Sequence, residues 1–282
     1  MTLEKLKIYI HYCLPKHLLT RMVGLFASAK LGKLTTLAIK QFIKIYHVNT
    51  AEMADKIADY KTFNDFFARA LKVSARPIND EEQSIVFPAD GRISAFGKLK
   101  QNLQLQAKEH YFTTDALLAS AKDAADFENG SFMTVYLSPS DYHRVHMPFD
   151  GKLLKMTYVP GELFSVNPVY TRNIPELFSR NERVVCLFET SIGKMAVILV
   201  GATIVRSIAM NWCGIVAPQK TNVPIVTEYN DKNLNYRKGD EIGKFLMGST
   251  VICLFEKDKI KFEQSLSEKR HVNMGSQMAE FF

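Results

Sequence analysis

A small polar group between two apolar runs near the C-terminus constrains this chain more than any other feature. The tripeptide Gly248-Ser249-Thr250 separates residues 245–247 from the β-branched and aromatic run 251–255, which predicts a buried strand. Gly248 has no side chain, so its carbonyl can be approached closely, and the Ser249 hydroxyl follows at once. Without a base nearby the tripeptide is a turn that enters a strand; with one, the hydroxyl could attack the Gly248 carbonyl.

The length and composition allow a full hydrophobic core. The chain has 282 residues, of which 47% are hydrophobic, enough for one large domain or one domain with an extension. The longest apolar run, residues 195–205, is too short to cross a bilayer, and no secretory signal is predicted. The cysteines are far apart and predict free thiols in a reducing compartment: Cys13, Cys186, Cys213 and Cys253.

The excess positive charge lies in the first 51 residues. Glu4 is their only acid, against basic residues that carry the whole net charge of +7: Lys5, Lys7, Lys16, Arg21, Lys30, Lys33, Lys40 and Lys44. Apolar residues recur there at helical spacing in three segments, which predicts a helical segment over residues 1–55. Basic amphipathic helices suit an anionic membrane surface, although a solvated basic face over the core fits equally well. No motif indicates nucleic-acid binding.

Strand and turn patterns begin near residue 85 and predict a β-rich domain over residues 56–282. We expect strands at 131–137 and 152–159 and a hairpin formed by 183–190 and 195–205. A polar-faced helix is expected at 113–128, a loop carries His143 and His146, and the tail beyond residue 262 is weakly patterned. The predicted fold class is α+β: a mostly antiparallel β domain decorated by helices, after a basic amphipathic helical segment.

Three kinds of chemistry fit these patterns. His143 and His146 could bind a metal, but no further ligands complete a set, so no metal is predicted. Turns such as Ala89-Asp90-Gly91 resemble those of lipoyl or biotin carriers, yet no lysine stands at a hairpin tip. In the third, Asp90 orients a histidine that deprotonates Ser249. By spacing alone the third arrangement is a weak prediction.

Several motifs occur together and in order along nearly the whole chain. They are FPADG (87–91), DYHRVH (141–146), FSVNP (164–168) and GST (248–250), with FNDFFAR (63–69), ARPI (75–78) and NERV (181–184). In this combination the chain resembles the phosphatidylserine decarboxylase proenzymes of the bacterial, mitochondrial-like type. Met247 stands where that family usually has leucine, a substitution that conserves volume and apolar character.

The resemblance implies that the chain cuts itself between Gly248 and Ser249, into a β chain of residues 1–248 and an α chain of residues 249–282. Asp90 would orient His146, and His146 would deprotonate the Ser249 hydroxyl for attack on the Gly248 carbonyl. Loss of ammonia would then leave a covalent pyruvoyl group, the pyruvate cofactor, in place of Ser249. His143 would position the substrate or transfer a proton.

The activity implied is the decarboxylation of phosphatidylserine to phosphatidylethanolamine, a carboxy-lyase reaction. The pyruvoyl ketone forms a Schiff base with the substrate amine and accepts the electrons released with carbon dioxide. Phe164, Ser165 and Asn167 are further candidates for substrate binding.

The expected partners are the lipid, an anionic membrane surface reached through residues 1–48, the two chains of one precursor and a second copy in a homodimer. The expected location is peripheral, on the cytoplasmic side of the cell membrane. The alternative function is an inactive lipid-surface binding protein of the same fold.

Overall fold

A computed structural model describes residues 3–107, 110–203, 207–246 and 249–282. Their helices are α1 (Leu3–Cys13), α2 (Lys16–Ser28), α3 (Lys33–Tyr46), α4 (Phe63–Phe67), α5 (Thr114–Leu118), α6 (Ala121–Ala125), α7 (Pro168–Thr171) and α8 (Leu177–Arg180), with 3₁₀ turns at Ile57–Asp59, Val73–Ala75 and Asn230–Lys232. The strands are β1 (Ser84–Val86), β2 (Gly91–Lys98), β3 (Leu103–Ala107), β4 (His110–Thr113), β5 (Ser131–Leu137), β6 (Arg144–His146), β7 (Gly151–Val159), β8 (Arg183–Thr190), β9 (Gly193–Val200), β10 (Ile208–Met210), β11 (Gly214–Ala217), β12 (Ile225–Glu228), β13 (Asn235–Tyr236), β14 (Glu241–Phe245), β15 (Ser249–Phe255), β16 (Ile260–Phe262), β17 (His271–Val272) and β18 (Gln277–Phe281).

A large antiparallel sheet organises the β domain. Its strands run in the order β12-β7-β8-β9-β15-β5-β2-β17, and β13 also pairs with β7. Successive residues of a strand point to opposite faces. Val251, Cys253 and Phe255 of β15 therefore join one core, whereas Ile252 and Leu254 join a second. Burial of both faces explains why this strand reads as an unbroken apolar run.

The first core lies between the large sheet and two smaller ones. One of these has the order β11-β10-β14-β6 and the other the order β1-β18-β16, while β3 and β4 form a separate ribbon. The second core, on the opposite face of the large sheet, includes Leu117 of α5 and Leu177 and Phe178 of α8. The site-bearing strands β6 and β15 therefore lie in two sheets that face one another across the first core. The α+β prediction is confirmed.

The three predicted N-terminal helices are confirmed as α1, α2 and α3. A third core joins Ala27 of α2 and Ile39 of α3 to Phe66 of α4. It crosses the predicted domain division between residues 55 and 56, and that division stays a prediction. Among the described residues no single helix is long and apolar enough to cross a membrane; Leu18–Ser28 and Lys33–Tyr46, bent by 115°, reach that length and composition only together.

The predictions for individual strands and helices were confirmed in part. Strand β5 matches its predicted bounds, and β8 and β9 form the predicted hairpin, but β9 ends at Val200 instead of residue 205. The helix expected at 113–128 is two helices, because Ala119 takes a left-handed conformation (φ 54°) and the Ser120 side chain caps α6. The tail beyond residue 262 contains β17 and β18, whose pairing with β2 and β1 no local pattern indicated.

Candidate active site

Ser249 opens the central strand β15, and its side chain is fully buried. Because side chains alternate along a strand, Ser249 lies on the same face as Val251 and points to the first core. Just before it, the Phe245 amide donates to the His143 carbonyl at 2.9 Å. This backbone bond holds the chain beside β6, and the Ser249 Oγ lies 3.5 Å from Nδ1 of His143.

The His143 imidazole is buried and held on two sides. Its Nε2 lies 3.1 Å from the carbonyl oxygen of Ser138, and its ring stacks on Phe67 with the centroids 4.1 Å apart. A carbonyl only accepts hydrogen bonds, so Nε2 carries the proton and Nδ1 is the free acceptor that faces Ser249. Burial, together with the nearby Arg69 charge, lowers the pKa of His143 to about 3. The ring is therefore neutral.

Arg69 connects α4 to the loop that holds His143. Its Nη2 donates to the carbonyls of Ser140 and Asp141, at 2.8 and 3.0 Å. In the same loop, the Asp141 carboxylate accepts from the amide and the hydroxyl of Ser138 at 2.7 and 2.8 Å. These bonds fix the Ser138 carbonyl that selects the His143 tautomer. The FNDFFAR motif contained Arg69 and Phe67, but sequence reasoning placed neither of them at the site.

His146 is also buried, with both ring nitrogens engaged elsewhere. Its Nδ1 donates to the Gly239 carbonyl at 2.8 Å, so Nε2 is the acceptor for the Tyr142 hydroxyl at 3.0 Å. Burial lowers the pKa of His146. The structure thus brings His143, and not His146, to Ser249, and the role of His146 as the base stays a prediction. His143 immediately precedes β6 and His146 is the last residue of that strand, so the loop expected there is partly a strand.

Asp90 is buried and pairs with Arg76. The Arg76 Nε lies 2.8 and 3.0 Å from the two carboxylate oxygens, and the Met274 amide donates to Oδ1 at 2.8 Å. The hydrogen bond to Asp90 raises the pKa of Arg76, so the guanidinium stays charged. No described hydrogen bond joins Asp90 to His146, although the Asp90 charge slightly raises the pKa of that histidine. The ARPI motif contained Arg76, a partner that sequence reasoning missed.

The candidate substrate residues of the FSVNP loop have structural partners. The Phe164 ring lies under Lys16, 4.7 Å from its Nζ, and the Ser165 amide donates to Nε2 of His11 at 3.1 Å. Asn167 caps α7 by accepting from the Val169 amide. The loop therefore docks α1 and the start of α2 onto the β domain. Substrate contact by these residues stays a prediction, and the predicted scissile partner Gly248 lies, with Met247, outside the described residues.

The arrangement can carry out acid–base chemistry on a serine. A neutral imidazole faces a buried hydroxyl where water is excluded. Within the described ranges, no group of three or more His, Cys, Asp or Glu side chains could hold a metal ion.

Comparison with known proteins covers nearly the whole chain. The family model for phosphatidylserine decarboxylase matches residues 63–280, and a second model, described as PSD, matches residues 6–47. The chain is 49% identical to phosphatidylserine decarboxylase proenzymes of Acidovorax ebreus, over 98% of both chains, and of Shewanella woodyi, over 99% of both. A Vibrio parahaemolyticus proenzyme is likewise 49% identical, over 98% of this chain and 99% of its own. The chain therefore belongs to the phosphatidylserine decarboxylase family.

Proposed function

We propose that this chain cleaves itself before Ser249, converts that residue to a pyruvoyl group and decarboxylates phosphatidylserine to phosphatidylethanolamine. The observation that carries the proposal is the buried contact between Ser249 Oγ and the free Nδ1 of His143, in a chain of this family. Nothing in the comparisons favours the alternative of an inactive lipid-binding protein.

The residues of the site fit a group made from Ser249 itself. The serine is fully buried, and the neighbouring Thr250 hydroxyl is buried with no hydrogen-bond partner among the described residues. The pyruvoyl group would supply an electron sink for the bond that breaks when carbon dioxide leaves. The protein's own part is to bind the lipid, exclude water and move protons.

His143 can serve the first proton transfer. Its Nδ1 takes the Oγ proton of Ser249 as the oxygen attacks the preceding carbonyl, and the proton passes to the Ser249 nitrogen as the peptide bond breaks. A pKa lowered to about 3 keeps the ring neutral, so the Nδ1 lone pair is available for the Oγ proton. After conversion, the same ring adjoins the reacting atoms of residue 249. The assignment of the first step to His146 would require that ring to leave Gly239 and Tyr142.

Intact mass spectrometry tests the proposal. Purified wild-type protein is expected as two chains, with the 249–282 chain lighter than its sequence mass by one ammonia. Ser249→Ala should remain one chain and release no carbon dioxide from phosphatidylserine. Ser131→Ala, which removes another buried hydroxyl on the adjacent strand β5, is the matched control and should be cleaved. A wild-type chain that stays whole after long incubation contradicts the proposal.

The N-terminal helices supply a surface for the anionic membrane. Tyr9, Leu18, Met22, Leu25, Leu34 and Leu37 are each more than half exposed on α1, α2 and α3, which also carry the excess of lysine. Exposed apolar side chains among cations suit a peripheral site on anionic lipid, with each cation adding about 1 kcal/mol. Flotation with phosphatidylserine liposomes tests this: replacing Leu18, Met22 and Leu25 by serine should reduce the bound fraction. The homodimer and the cytoplasmic side stay predictions.

A further inference from the structure

Two cavities meet beside the end of β14. Each has a volume of about 350 Å³, which is the lower end of the range for ligand sites, and both are lined by Asn64 and Leu246. Leu246 precedes Ser249 by three residues, so their Cα atoms are at most about 11 Å apart. Leu246, which lines both cavities, is therefore within about 11 Å of residue 249 along the chain.

The first cavity is uncharged along its described lining. Gly24 and Ser28 of α2 form one side, and Ile215 and Pro218 form the other. The Ser28 hydroxyl donates to the Gly24 carbonyl at 2.8 Å, so this wall presents little free polarity. Ile215 is 63% exposed and Leu25, next to Gly24, is 59% exposed. The cavity thus opens among apolar side chains on the α2 side of the molecule.

The second cavity carries charges of both signs. Lys61, Arg144 and Lys244 line it together with Asp55, Asp59 and Asp65. Three of these charged groups already have hydrogen-bond partners in the protein. Arg144 pairs with Glu241 at 2.8 Å, and the Asp59 and Asp65 carboxylates accept from backbone amides. The side chains of Lys61 and Lys244 have no hydrogen bond or ion pair with any described residue, and both residues line the cavity. An unpaired ammonium binds phosphate as a point charge.

We propose that the two cavities form one phospholipid site, an inference that rests on the function proposed above. The phosphate of the head group lies between Lys61 and Lys244, and the glycerol with the first acyl carbons lies between α2 and the Ile215–Pro218 wall. The lipid crosses from the uncharged to the charged cavity over Asn64 and Leu246. The serine end of the head group then points toward residue 249.

Equilibrium binding to the unprocessed Ser249→Ala chain tests the site without any reaction. The ligands are monomeric dihexanoyl phosphatidylserine and glycerophosphoserine, which lacks acyl chains, each measured by calorimetry. Lys244→Gln should raise the Kd of both by about tenfold, and Lys61→Gln should do the same. Lys98→Gln is the control, because that lysine is 70% exposed in an ion pair with Asp258.

A bulky side chain in the uncharged cavity tests the proposed acyl-binding part of the site independently of the phosphate-binding part. Ser28→Phe should raise the Kd of the acylated ligand about tenfold and leave that of glycerophosphoserine unchanged. Equal effects of Ser28→Phe on the two ligands, or unchanged binding in both lysine variants, overturns the inference. Its failure is distinct from failure of the proposed function, because wild-type carbon dioxide release is measured separately. Circular dichroism of each variant confirms that it is folded.

Discussion

His143 and His146 are three residues apart, both buried, both neutral and both stacked or bonded to an aromatic side chain. They differ in one respect that decides their chemistry. Both nitrogens of His146 have protein partners, whereas His143 keeps one acceptor nitrogen for Ser249. A base needs a free lone pair within reach of the proton it takes. Burial and a lowered pKa are common to the two rings, and only their hydrogen-bond partners distinguish them.

Removing each ring in turn is the most direct test of which histidine takes the Ser249 proton. From the contact seen here, we expect His143→Ala to slow self-cleavage at least about 100-fold, a typical contribution of a general base. His146→Ala should slow it less. Time courses by intact mass measure both rates. The reverse order would mean that His146 turns from Gly239 to reach Ser249, as the sequence-based prediction has it.

The pH dependence of the unfolding free energy tests the lowered pKa of His143. His143 has a pKa of about 3 when folded and about 6.5 when unfolded, so between these values the unfolded chain binds more protons. Above pH 6.5 the ring is neutral in both states and does not reduce the unfolding free energy. As the pH falls below 6.5, the unfolded chain takes up the proton first and the unfolding free energy decreases. We expect the unfolding free energy of Ser249→Ala to drop by about 2–3 kcal/mol between pH 6 and pH 4 from this ring alone. Urea unfolding of Ser249→Ala with and without His143→Gln measures the difference. An equal slope in both proteins would show that the ring titrates normally.

Phe67 supports His143 but has no described ring contact with His146. Phe67→Leu removes the stacked ring and should lower the unfolding free energy by about 1–2 kcal/mol, while self-cleavage slows because the imidazole is less well held. Phe63→Leu, on the same helix, should cost similar stability without slowing cleavage. If the two variants cleave at the same rate, the stack is only structural.

Tyr142→Phe gives the smallest expected effect. It removes the donor to Nε2 of His146 and leaves one buried acceptor without a partner, at about 1 kcal/mol of unfolding free energy. The partners of His143 are unchanged, so cleavage should keep its wild-type rate. A tenfold loss of cleavage rate in Tyr142→Phe would bring His146 into the reaction and remove the distinction between the two rings.

Much of the fold could be predicted from local pattern. The N-terminal helices, β5, β7 and the β8–β9 hairpin follow directly from apolar periodicity. The break at Ala119 and the strand β18 could not, since the left-handed residue has no local signal and β18 pairs with β1, which lies far back along the chain. At the site, Ser249 and the two histidines were identified, but their pairing was not. The hydrogen bonds that select each tautomer come from Ser138 and Gly239, one a short distance back along the chain and the other far beyond it.

The sequence by itself determined the family, the α+β class and the serine at the start of a buried strand, because apolar spacing and short motifs are local properties of a chain. Only the tertiary structure decided which histidine faces that serine, that Asp90 pairs with Arg76, and that two cavities meet beside Leu246. Those facts depend on which backbone carbonyls and charges the fold brings together. Such contacts join residues whose separation along the chain carries no information about their distance in space.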